Sequence, residues 1–166
     1  MLVIKKNYLA LFAKSFNWAG FFLPRDTYEE CSKLYAFCRV LDDIVDADQK
    51  LDIKKERYEK INDFFKLSDE VKTKFEERYK FDQEAIIVSD MIVLIENKNI
   101  KRVILNDLVE GVGSDLKKKI HFRSVKELLI YSYRVAGTVG LMMAKILNVN
   151  DTRSLKGAID LGIAMQ

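Results

Sequence analysis

Asp42 and Asp46 stand four residues apart in the run Tyr35-Ala-Phe-Cys-Arg39-Val-Leu-Asp42-Asp43-Ile-Val-Asp46. Side chains at i and i+4 of a helix are neighbours, so the two carboxylates share a face. At about 100° per residue, Cys31, Leu34, Cys38, Leu41 and Val45 form an apolar stripe. Tyr35, Arg39, Asp42 and Asp46 fall within roughly 60° of arc along its edge. A pair of like charges beside an apolar stripe is unstable unless a cation lies between them. Hard divalent cations take oxygen ligands, and Mg²⁺ is commonly held by one or two carboxylates together with substrate phosphates. The chemistry to expect is a metal–phosphate pocket inside a helical bundle. Arg39, one turn before Asp42 and Asp43, is placed to neutralise them or to grip a phosphate. A solvated acidic helix end explains the bare string as well, and the position on the apolar edge beside Arg39 favours the site.

A second group is Tyr131-Ser-Tyr-Arg-Val-Ala-Gly-Thr-Val-Gly140. A glycine in a helix interior costs about 1 kcal/mol relative to alanine. Ala136, Gly137 and Gly140 therefore lower one helix wall for a reason, either a close neighbouring helix or a long apolar ligand.

The elements that must position these residues read as helices throughout. Tyr8 to Phe22 forms a first helix that stops at Pro24, and a second opens near Asp26, with Glu29 completing a capping box, and runs to about Ala47. Asp48 to Lys80 reads as a solvated helix and loops forming a lid edge or linker. Glu84 to Glu96 is apolar almost all round and hence buried. Ile100 to Leu116 turns Ile100, Val103, Ile104, Leu108 and Val112 to one side. Ser124 with Glu127 opens a helix reaching Leu147, and Asp151 caps a last helix running to Gln166. No strand-period alternation occurs, so the fold class is all-α in one domain, residues 1–166.

Composition excludes several functions. A net charge of +3 spread along 166 residues, without aromatic–basic interleaving, gives no nucleic-acid surface. Cys31 and Cys38 lie two turns apart, about 10 Å, too far for a disulfide, and read as reduced thiols of a cytosolic, cytoplasmic protein. No apolar run is long enough to span a bilayer, and peripheral membrane contact stays open. His121 follows Lys117-Lys118-Lys119 in a loop and reads as exposed or packing. Trp18, Phe16, Phe21 and Phe22 read as core. There is no P-loop, dinucleotide-type glycine turn, zinc-spaced Cys/His set or Ser-His-Asp arrangement.

In this order the motifs resemble the squalene/phytoene synthase family. Lys14-Ser15-Phe16 through Leu23-Pro24 resembles its KSF…LLP element, with Phe12-Ala13 where some members carry a histidine. Leu34 to Asp46 resembles its first aspartate-rich motif. Glu110-Gly111 with Asp115-Leu116 resembles its EGM..DL element, Tyr133 to Gly140 is similar to its YRVAGTVG signature, and Leu161 to Gln166 to the start of its LG.A.QLTNILRD segment.

The resemblance implies an isoprenoid synthase-type helical bundle, incomplete at the C-terminus, that joins two prenyl diphosphates head to head. It implies Mg²⁺ as cofactor and farnesyl or geranylgeranyl diphosphate as substrate, with phytoene synthase the favoured subtype. Asp42 and Asp46 would bind the metal and, with Tyr35 and Arg39, make up the catalytic set. Ser15, Phe16 and Gln166 would contact substrate, and Tyr131, Val135, Ala136 and Gly140 would line the cavity for the prenyl chains. Ionising an allylic diphosphate needs its leaving charge neutralised and the carbocation kept dry. The second aspartate motif of the family does not occur before Gln166, so the chain is expected to hold about half of the metal site. That absence motivates the alternative, a non-catalytic binding or assembly module.

Overall fold

The computed structural model describes residues 8–66, 82–116 and 121–166, and every regular element in them is helical. In chain order these are α1 (Tyr8–Phe12), α2 (Lys14–Gly20), α3 (Arg25–Asp46), α4 (Leu51–Lys66), α5 (Gln83–Asn97) and α6 (Arg102–Gly113). A 3-10 turn (Ser114–Leu116) comes next, then α7 (Val125–Ser132), a π-helical segment (Tyr133–Gly137), α8 (Thr138–Ile146) and α9 (Thr152–Met165). The all-α expectation holds. Among the described residues, no helix is long and apolar enough to cross a membrane.

α3 is the central post. It packs against α1, α4, α5, α6 and α8, while α9 lies outside on α8 and the π segment. Leu34, Phe37, Leu41 and Ile44 of α3 are buried against the core that also holds Met91, Ile95, Leu105, Leu108, Met142 and Ile146. The expected stripe is thus rotated: Cys38 and Val45 are only half-buried at its edge, because neighbours press on α3 from the Phe37–Ile44 side. Both cysteines are free thiols, Cys31 being buried. His121 is exposed.

Several expectations about element ends are corrected. Pro24 is the N-cap of α3, Asp26 lies in its first turn, and no side chain caps that end. The expected first helix breaks at Ala13 (φ −131°, ψ 65°), and α2 buries only Gly20. That break carries Phe16, Trp18, Phe21 and Phe22 away from the core. Trp18 and Phe21 are 72% and 83% exposed, and each stacks edge to face on Phe22 instead. In α6 the inward face is Leu105, Leu108, Val109 and Val112, whereas Val103 points outward. The Ser124 cap is present: its hydroxyl accepts from the Glu127 N–H at 3.2 Å, and the Glu127 carboxylate accepts from the Arg123 N–H at 2.7 Å. Asp151 caps α9 by accepting from the Ser154 N–H at 2.8 Å.

The charged stretch expected as a lid edge or linker contributes a packed helix, α4; from residue 67 it lies outside the described residues. Ile61 and Phe64 are buried, and the Tyr58 hydroxyl donates to the Val109 carbonyl at 3.1 Å. Arg57 pairs with Glu84 at 2.5 Å, and Lys60 pairs with Asp82, the N-cap of α5. Desolvation raises the Asp82 carboxyl, but Lys60 and the N–H groups of Ala85 and Glu84 outweigh it and hold it below its ordinary value. A carboxylate held low in the folded state stabilises above its unfolded pKa, and that stability is lost as pH falls through the folded value. Asp82→Ala is expected to lower stability at pH 7 by about 1–2 kcal/mol. Thermal melts should show that deficit shrinking below about pH 4.

Candidate functional site

Asp42 and Asp46 occupy the last two turns of α3, on the edge beyond Cys31 and Cys38. Both are exposed, which corrects the expectation of a carboxylate pair buried within the bundle. Arg39 makes its ion pair with Asp43, at 2.7 Å, rather than with Asp42. The pair is about two-fifths exposed on both sides and is worth little to stability. Tyr35 lies half-buried one turn earlier on the same edge.

Among the described residues, carboxylates outnumber cations along this edge. Asp42 is open on its outer side, but protein atoms on the inner side partly desolvate its carboxyl and push it above the ordinary carboxylate range. Asp46 adds to that rise, Arg39 opposes it, and Asp43 and Asp115 add again. Burial pushes the neighbouring Cys38 thiol up to about 12, with Asp42 adding, so it stays protonated.

Asp115 belongs to the motif element around Glu110-Gly111, but reading the sequence assigns it no role. It sits in the 3-10 turn after α6, and Tyr131, in the last turn of α7, donates its hydroxyl to Asp115 Oδ2 at 3.1 Å. Burial raises the Asp115 carboxyl, the Tyr131 bond opposes this and Asp46 adds to it. The Tyr131 phenol is pushed up to about 12, by burial first, then by Asp115, then by Asp42 and Asp46. Four residues from three separate stretches therefore share one field: Asp42, Asp46, Asp115 and Tyr131. Tyr131, expected along an apolar cavity, stands at this polar corner with its ring against Phe122, centroids 5.2 Å apart.

The remaining predicted residues lie elsewhere. Ser15 and Phe16 are exposed on α2, whose Asn17 accepts from the Tyr28 hydroxyl at 2.5 Å. Tyr28 stands about 20 Å along α3 from Asp42, and an open cleft of about 460 Å³ between Lys14, Trp18 and Tyr28 belongs to that far end. Gln166 comes directly after α9, exposed. Val135 faces Gly111 of α6, where an added Cβ would come within 3.0 Å of it. The Ala136 carbonyl lies against Gly162, and Gly140 lies against the Ala158 carbonyl of α9. The small residues of the signature thus seat helices on one another in this structure.

The helix expected from Ser124 to Leu147 is split by the π segment. A π turn inserts one residue and rotates the rest of the helix by about 100°. This lets Tyr131 face Asp115 while Gly137 and Gly140 face α9. The Thr138 hydroxyl, fully buried, donates to the Arg134 carbonyl at 2.7 Å and satisfies an acceptor in the widened turn.

Among the described residues no three His, Cys, Asp or Glu are gathered to hold a metal ion. The Asp42–Asp46 pair supplies hard oxygens whose mutual repulsion a cation would relieve. Such a set suits Mg²⁺, which takes the rest of its shell from phosphate and water.

The profile of the family described as squalene/phytoene synthase matches residues 9–166. The 15-cis-phytoene synthases of Paracoccus sp. and Enterobacter agglomerans are each 31% identical to the chain over 163 and 155 residues, covering 93% of it and 49% and 51% of themselves. A phytoene synthase of Cereibacter sphaeroides is 33% identical over 162 residues, 92% of the chain and 42% of that protein. The chain spans about half the length of the curated relatives it matches. The match runs through every motif, from the KSF element to Gln166, and the chain belongs to the squalene/phytoene synthase family.

Proposed function

We propose that the chain supplies the first-aspartate half of a magnesium–diphosphate site for head-to-head condensation of two prenyl diphosphates, in the manner of a phytoene synthase. The observation that carries this reading is the shared field of Asp42, Asp46, Asp115 and Tyr131, an anionic corner in which, among the described residues, Arg39 alone opposes the carboxylates acting on Asp42. Asp42 and Asp46 would hold Mg²⁺, which when bound neutralises the leaving diphosphate. Arg39, braced by Asp43, would add positive charge beside it, and Tyr35 would lie against the same edge. Geranylgeranyl or farnesyl diphosphate is the substrate class that the family relation favours. Ser15, Phe16 and Gln166 are proposed as outlying substrate contacts, and Val135 and Ala136 as walls near the prenyl chain.

The test is Mg²⁺-dependent pyrophosphate release from geranylgeranyl diphosphate, with farnesyl diphosphate compared alongside. Release that requires Mg²⁺ supports the reading, metal-independent release counts against it, and so does absent release from a chain extended past Gln166. The absence of a third metal ligand among the described residues favours one other reading, a binding module that keeps the fold without the chemistry. In that case Mg²⁺ with pyrophosphate should leave the melting temperature unchanged, whereas a ligand-linked rise rejects it.

A further inference from the structure

We propose that Asp115 is a positioning residue that holds the Tyr131 hydroxyl turned away from Asp42 and Asp46. The inference rests on the magnesium–diphosphate reading of that corner and adds a residue to it. Among the described residues Asp115 Oδ1 is buried with no hydrogen-bond partner, so the Tyr131 bond to Oδ2 is the one its side chain makes. The turn that carries Asp115 is tied down on both sides. The Ser114 hydroxyl before it donates to the Gly111 carbonyl at 2.6 Å, and Leu116 after it is buried. The Tyr131 ring is braced by Phe122, and its hydroxyl points to Asp115 Oδ2 at 3.1 Å. A phenol has one hydrogen to give, and an ionised carboxylate only accepts. The hydrogen therefore lies on the Asp115 bond, and the phenol oxygen presents lone pairs in its other directions.

That orientation matters for what can bind. A hydroxyl freed from Asp115 would turn its hydrogen toward another acceptor, and Asp42 and Asp46 are the carboxylates whose charge reaches it. It would then occupy oxygen lone pairs that a cation needs. Held as it is, Tyr131 offers an acceptor to a metal-bound water or to developing positive charge, and it competes with neither.

A double-mutant cycle read by calorimetric binding of Mg²⁺ with inorganic pyrophosphate tests this. The wild-type chain, Asp115→Leu, Tyr131→Phe and the double variant are compared. Asp115→Leu is expected to weaken binding, and to weaken it at least about threefold less when Tyr131→Phe has already removed the hydroxyl. Equal losses in the two backgrounds overturn the inference and leave the magnesium–diphosphate reading standing, because Asp115 would then act through its charge or its packing alone. A wild-type chain that does not bind, in a protein whose melt is cooperative, removes that reading and the inference with it. If Asp115→Leu lacks the native melting transition, Asp115→Ala takes its place in the cycle.

Discussion

Asp42→Ala is expected to reduce Mg²⁺-dependent pyrophosphate release by about 10²–10³-fold, the range for losing one preorganised group that stabilises developing charge. The same substitution should leave the fold as stable as before, or slightly more so. Asp42 and Asp46 are like charges at i, i+4, an arrangement that costs a few tenths of a kcal/mol, about 1 °C in a domain of this size. The carboxyl of Asp42 is raised first by desolvation and then by Asp46. A carboxyl raised in the folded state binds its proton more readily there than in the unfolded chain. Its effect on stability therefore becomes more favourable as pH falls from neutral through the raised value, and less favourable as pH rises. Asp42→Asn should accordingly raise the melting temperature at pH 7 by about 1 °C, with the gap closing toward pH 4. Added Mg²⁺ should stabilise the wild-type chain and leave Asp42→Asn unmoved. Pyrophosphate release and thermal melts on the same preparations check both halves. A fall of more than about 4 °C would instead make Asp42 a structural residue.

That separation of activity from stability comes from where α3 puts its polar edge, and the edge was legible in the sequence. The spacing of Tyr35, Arg39, Asp42 and Asp46 fixed their common side once α3 was read as a helix. The phase of the buried face was less legible. Phe37 and Ile44, not Cys38 and Val45, face the core, and that depends on which helices press on α3. Periodicity shows that a face exists but not how several partners divide a helix. The N-terminal aromatics show the opposite limit, since apolar composition pointed inward while the break at Ala13 turned them out.

The site itself was half legible. Asp42 and Asp46 are neighbours within one helix, so spacing alone could find them. Asp115 lies sixteen residues before Tyr131 and about seventy after Asp46, and its part depends on a 3-10 turn and a π segment bringing three stretches together. The sequence marked Asp115 only as a letter in a motif. The π segment left no signal in apolar periodicity, because an inserted residue is visible only when the helix partners on both sides are known.

Gly140 carries the second large effect. Gly140→Val is expected to lower the stability of the packed chain by about 1–3 kcal/mol or more, the range for forcing atoms into a filled contact. An added Cβ there would collide with the Ala158 carbonyl, and a backbone group cannot swing aside as a flexible side-chain end can. Valine's gain in helix propensity over glycine, a few tenths of a kcal/mol, does not offset that. The loss should fall on α9, which has no fully buried residue and is held chiefly by α8 and the π segment. Amide exchange should therefore quicken across Thr152–Met165 well before the α3–α5 core loses protection. Gly157, in α9 itself, provides the contrast: nothing lies within 4 Å of a Cβ added there. Gly157→Ala should stabilise α9 by about 1 kcal/mol. If Gly140→Val instead keeps α9 protected and changes only the prenyl chain the protein accepts, Gly140 faces a cavity rather than a helix. Slowed exchange in Gly157→Ala together with accelerated exchange in Gly140→Val would establish that the glycines of the signature serve to bring α9 close, and through it to hold the helix that carries Tyr131.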